Sequence, residues 1–123
     1  MFRAALLAAL FAFSSAPARA EEPEFEVVGK IERAALSLSI LPRPGYRILG
    51  DAPVVVRLDG SHVDLPRRLY RREDAVDPHA EAPRFEIALK NPAGGARIDA
   101  ELTFYICRAA RCRPVTTRYG TNL

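Results

Sequence analysis

Two residues carry the chemistry that spacing alone suggests: Cys107 and Cys112, the only cysteines in 123 residues. Between them stand Arg108-Ala109-Ala110-Arg111, the length of a common hairpin loop, so the two thiols are expected to face each other where two strands meet. Directly opposed strand residues hold their Cβ atoms about 4.5 to 5.5 Å apart, slightly wider than the roughly 3.5 to 4.5 Å of a disulfide, so a small pinch closes the bond. So short a ring stabilises a fold by only about 2 kcal/mol. Two readings stay open. Arg108, Arg111 and Arg113 surround the pair with positive charge, which favours the thiolate and lowers the thiol pKa, the condition for thiol-disulfide exchange. Alternatively the pair is an inert staple on a loop edge flanked by solubilising arginines.

The compartment decides whether such a pair is oxidised. Arg3 supplies a positive start, Ala4 to Phe13 is an apolar run, and Ala18-Arg19-Ala20 is a small-x-small site ahead of Glu21. That order predicts a signal peptide over residues 1–20, cleaved after Ala20, and a product that is periplasmic or secreted in an oxidising environment. Ser14, Ser15 and Pro17 interrupt the run before it reaches the roughly 20 apolar residues of a transmembrane helix, and residues 21–123 contain no such span. The 18 basic and 15 acidic residues give a formal charge of +3, but Arg3 and Arg19 leave with the leader. The remaining balance is nearly neutral, which removes the nucleic-acid reading that a basic chain invites. A single small domain over residues 21–123 excludes a multidomain enzyme.

Other candidate sites are weaker. Asp77, His79 and Glu81 alternate and could face one side of an extended segment, but three ligands on a loop without supporting contacts are ordinarily solvated charge, and no metal is expected. His62 follows Asp59-Gly60 and suits a hairpin tip better than a catalytic base. No serine has a nucleophile-elbow context. Arg67, Arg68, Arg71 and Arg72 form a basic cluster that could meet an anion, though Glu73, Asp74 and Asp77 follow at once. Gly94-Gly95 precedes a strand pattern and not a helix, so it is a turn and not a phosphate cradle, and no cofactor is implied.

The elements that must position the cysteines are strands. A first strand starts at Phe25, Val27 and Val28, and the segment from Ile31 to Leu41 reads as a strand in which Leu36, Leu38 and Ile40 alternate with serines, ended by Pro42, Pro44 and Gly45. Val54 to Leu58 follows, closed by Asp59-Gly60, a dipeptide suited to a tight hairpin turn, with His62, Val63 and Leu65 returning along it. Arg72 to Pro83 has little alternation and reads as a long surface loop. Phe85, Ile87 and Leu89 alternate with polar residues, as do Ile98, Ala100, Leu102, Phe104 and Ile106 on the strand leading to Cys107, and Pro114 to Tyr119 makes the last strand. About seven short strands and no convincing helix predict an all-β fold, an immunoglobulin-like antiparallel β-sandwich, with a small barrel as the alternative.

The run Leu102-Thr103-Phe104-Tyr105-Ile106-Cys107, then Cys112-Arg113-Pro114, preceded by Pro44-Gly45-Tyr46 after an alternating strand, resembles the N-terminal periplasmic domain of the thiol:disulfide interchange protein DsbD. The likeness covers roughly Phe25 to Tyr119. It implies an immunoglobulin-like sandwich in which two cysteines on a late hairpin, followed by a proline, pass electrons to exported partners. Cys107 and Cys112 stand where that pair would stand, with four residues between them where the family has five. Tyr46 is then expected near the cysteine end of the sandwich, as a shield for the disulfide or as an aromatic that fills the sandwich edge. The family's membrane electron-transfer segment and thioredoxin-like domain have no counterpart before Leu123, so a separate exported protein, of thioredoxin-like type, is the expected partner. The competing expectation is a non-catalytic protein-binding module in which Cys107 and Cys112 only rigidify a recognition hairpin.

Overall fold

Leu36, Leu38 and Ile40 on one strand, and Ile98, Ala100, Leu102, Phe104 and Ile106 on another, each point every second side chain to the same side, and each set is buried. Two such faces cover each other only if two sheets stack. The computed structural model describes residues 23–123 and shows this arrangement; the predicted signal peptide lies outside the described residues.

Eight strands and one 3-10 turn follow in order: β1 (Phe25–Glu32), β2 (Ala35–Pro42), β3 (Tyr46–Ile48), β4 (Val55–Ser61), β5 (Leu69–Arg71), the turn Arg72–Asp74, β6 (Arg84–Ala88), β7 (Arg97–Arg108) and β8 (Arg111–Asn122). All pairings are antiparallel. One sheet has the order β1-β2-β6. In the other, β7 carries β8 along one edge and both β3 and β4 along its opposite edge, with β5 beyond β4. β3 and β4 are in effect one strand interrupted by residues 49–54, which stand opposite Phe104 and Tyr105 alone. The fold is an antiparallel β-sandwich of the expected class. Its core joins Leu36, Leu38, Phe85 and Ile87 of the smaller sheet to Val56, Leu102, Phe104 and Ile106 of the larger. Phe25 meets Phe104 edge-to-face across the layers, with ring centroids 5.0 Å apart.

Three local expectations need correction. The single strand expected across Ile31 to Leu41 is two: β1 ends at Glu32, Arg33 and Ala34 turn the chain with φ of 48° and 60°, and β2 begins at Ala35. Two left-handed residues give the tight hairpin its twist, but neither is the glycine or asparagine that announces such a turn. Asp59-Gly60 is not a turn. Both residues lie inside β4, paired with Asp99 and Ile98, and the chain bends later, at His62 with φ of 57°. Gly60 is there for close approach: a Cβ would come 3.0 Å from Leu65 and 3.1 Å from Val63. Consequently His62, Val63 and Leu65 do not return as a strand; β4 has β7 on one side and β5 on the other, with Val56 opposite Tyr70.

The surface loop expected from Arg72 holds one 3-10 turn, fixed where the Asp74 carboxylate accepts the Arg71 backbone N–H at 2.8 Å. No helix among the described residues is long and apolar enough to cross a membrane.

Candidate functional site

β7 and β8 form the longest hairpin, and its register determines where the cysteines meet. Phe104 pairs with Val115 and Ile106 with Arg113, and the ladder runs on through Cys107 opposite Cys112 to Arg108 opposite Arg111. The loop is therefore two residues, Ala109 and Ala110, with Ala109 at φ 52°. The four-residue loop expected from the cysteine spacing is corrected accordingly: pairing continues past the thiols. The Leu123 N–H donates to the Ala96 carbonyl at 2.9 Å, so odd-numbered residues of β8 turn their backbone groups toward β7 and even-numbered ones turn them away. Cys107 and Cys112 thus occupy a non-hydrogen-bonded site, the narrower of the two kinds of opposed pair. Their Cα atoms are 4.0 Å apart and the sulfurs are bonded at 2.05 Å.

The two sulfurs have different surroundings. Cys107 is on the central strand, with Cys112 beside it on β8 and Arg47 beside it on β3, and it is fully buried (0% exposed). Cys112 is exposed, on a strand whose far edge has no partner among the described residues. Arg47 was not singled out by the sequence. Its guanidinium donates to the Ala109 carbonyl at 2.8 Å, tying β3 to the hairpin tip on the face that carries the disulfide. The signal for it was slight: in Tyr46-Arg47-Ile48 the outer flanks turn inward, which leaves the arginine on the cysteine side.

Arg108, Arg111 and Arg113 lie on the opposite face of the hairpin, as alternation from Cys107 and Cys112 requires. Arg108 stacks over the Tyr46 ring, 5.6 Å from its centroid, and its Nη1 lies 3.4 Å from the tyrosine hydroxyl. Tyr46 does sit near the cysteine end, but on this other face, half-buried against the core, so it fills the sandwich edge and does not cover the disulfide. Arg113 forms an ion pair with Glu24, which anchors the start of β1 to β8. These residues, with Ile106 and Cys112, line a solvent-open cavity of about 620 Å³ at the open end of the sandwich.

The remaining candidates are structural. Arg72 donates to the carbonyls of Ala52 at 2.7 Å, Pro78 at 3.0 Å and Leu49 at 2.5 Å, holding the segment after β3 to the loop after β5. Arg67 pairs with Asp74 at 2.7 Å and lies over the Tyr70 ring. The basic cluster is thus spent in part on internal contacts, and its 3-10 turn is set by Asp74. Asp77 accepts the His79 backbone N–H at 3.0 Å, a turn contact. A groove of about 470 Å³ on the outer face, between Arg57, Asp59, Arg97, Asp99, Glu101 and Arg118, has its charges matched within itself, as in the 3.0 Å pair Arg97–Asp99.

Chemically, the hairpin tip offers a disulfide between one exposed and one buried cysteine, with Arg47 in register with the buried one. A thiolate that attacked from solvent would reach Cys112 before Cys107, making Cys107 the leaving group. Against known proteins, the chain matches no protein-family model, and no curated protein is significantly similar to it.

Proposed function

We propose that the Cys107–Cys112 pair performs thiol-disulfide exchange with exported partners. The observation that carries this reading is the unequal burial of two bonded cysteines at the rim of the sandwich, one exposed on an edge strand and one buried in register with Arg47. In the oxidised form, a partner thiolate attacks Cys112 Sγ, the Sγ–Sγ bond breaks, and Cys107 leaves as the thiolate. A second thiol of the partner then attacks the mixed disulfide, so the partner dithiol becomes a disulfide and this protein a dithiol. The reverse direction uses the Cys112 thiolate as nucleophile and Cys107 as the resolving thiol.

Two further considerations support it. A staple between strands already paired along their whole length adds little, about 2 kcal/mol for so short a ring. The resemblance to the DsbD periplasmic domain read from the sequence would make these two positions a redox pair, and the predicted signal peptide would deliver the chain to an oxidising compartment with thioredoxin-like partners.

Equilibration of the chain lacking residues 1–20 with glutathione and thioredoxin-type dithiol buffers measures the potential of the pair. The expected value lies above about −300 mV, where exchange-active bonds lie and structural ones ordinarily do not. A bond that stays closed across that range leaves the competing reading, a binding module with a structural disulfide, and partners then bind undiminished when both cysteines are alanine.

A further inference from the structure

We infer that the cavity beside Cys112 binds a small thiol carrying carboxylates, a tripeptide thiol of the glutathione type, and that this is a substrate of the exchange; the inference rests on the exchange reading above.

Charge is the first ground. Three arginines, Arg108, Arg111 and Arg113, line the cavity against the single acidic residue Glu24. Arg113 and Glu24 satisfy each other, and Arg108 is stacked on Tyr46, whereas Arg111 has no ion pair or hydrogen bond among the described residues. Arg108 and Arg111 are directly opposed across the hairpin and share a face. Like charges so placed repel, and an anion lying between them removes that repulsion while accepting their hydrogen bonds. With Arg113 and Glu24 paired to each other, the two arginines that remain match the two carboxylates of such a tripeptide thiol, and its ammonium stays toward solvent.

Size and position are the second. A volume of about 620 Å³ falls within the roughly 300 to 1,000 Å³ of small-molecule sites. Cys112 contributes to the same wall, although its side chain belongs to the other face of β8. Because β8 is an edge strand, a ligand can hold its carboxylates on the arginine face and bring its sulfur around that edge to Cys112.

The reaction balances without another oxidant. One ligand thiolate attacks Cys112 Sγ and expels the Cys107 thiolate, which takes up a proton. A second ligand thiolate attacks the ligand sulfur of the mixed disulfide and expels the Cys112 thiolate, which is protonated in turn. Two thiols give up two electrons and become a small disulfide, and the protein disulfide receives them.

The test compares the rates at which glutathione, the neutral thiol 2-mercaptoethanol and the cationic thiol cysteamine reduce the oxidised protein, each rate corrected for thiolate concentration and read by alkylation and mass. Glutathione is expected to react about tenfold or more faster than cysteamine at low ionic strength, with the ratio falling as salt is added. In the Arg108→Ala, Arg111→Ala double variant the ratio should collapse toward one, and in Arg57→Ala, whose side chain lies on the remote outer groove, it should persist. Equal corrected rates for the three thiols, or a ratio that survives in the double variant, overturn the inference. Should a thioredoxin-type dithiol open the bond while glutathione shows no advantage, exchange stands and the small-thiol site falls. If no thiol of any charge opens it, the exchange reading itself fails.

Discussion

At the scale of single residues, the contrast between Cys107 and Cys112 makes a directional prediction. With Cys112 exposed and Cys107 buried, the Cys107→Ser variant should accumulate a mixed disulfide with a dithiol partner, visible as a reducible band in non-reducing electrophoresis, and Cys112→Ser should trap several-fold less. Equal trapping by the two variants would mean that burial does not set the order of attack. A second residue-scale prediction concerns Asp74. The Arg71 backbone N–H and then the Arg67 guanidinium bind its ionised form, and both hold its carboxyl below the usual value of 3.8. A folded pKa below the unfolded one contributes stability above pH 4 that is lost as pH falls through the folded value. Asp74→Asn should therefore cost less than about 1 kcal/mol at pH 7, the pair being partly exposed, and the gap from the parent protein should close on acidification below pH 4, as read by denaturant melts at several pH values. The cysteines and their arginines were legible in the sequence as types and spacing. Which arginine shares a face with the sulfurs was not, because Arg47 reaches Cys107 through a pairing between distant segments that only the register of β3 determines.

At the scale of elements, the strands were easier to read than the turns. Alternation at Phe85 to Leu89 and Ile98 to Ile106 follows from one buried and one wet face, and those strands lie where alternation put them. The turns failed where residue type and backbone demand parted: Arg33 and Ala34 turn left-handed without a glycine, while Gly60 is extended and serves close packing. Gly29 repeats the second lesson across the sandwich. It faces the Tyr119 ring of β8, which occupies the space a Cβ would need. Gly29→Ala should therefore destabilise by about 1 to 3 kcal/mol through displacement of that ring, and in a Tyr119→Ala background the same substitution should cost under about 0.5 kcal/mol. A double-mutant cycle by thermal or urea unfolding measures the difference; additive costs would mean that the two sheets do not meet there.

At the scale of the whole molecule, the core rests on aliphatic and aromatic side chains from both sheets, and the disulfide is peripheral to it. Replacing both cysteines with serine should leave the far-ultraviolet spectrum unchanged and lower stability by about 2 kcal/mol, whereas Phe104→Ala, which empties the centre between Phe25 and Val115, should cost about 3 to 5 kcal/mol. If losing the bond unfolds the chain, the pair is a scaffold. The sandwich was legible as a class because many short alternating strands without helices have few ways to close a core. The split of the larger sheet's edge into β3 and β4 was not, since it depends on how residues 49–54 leave and rejoin β7. That edge has an opposite number in β8, where Pro114 is even-numbered and so holds its ring nitrogen on the outer side, the place where a neighbouring chain would look for a hydrogen donor. A stray strand from another copy that zips onto β8 from Thr116 toward Asn122 meets an interruption at that proline, where one donor is missing. Self-association along this edge is therefore least favoured beside Cys112, the residue that exchange would need open.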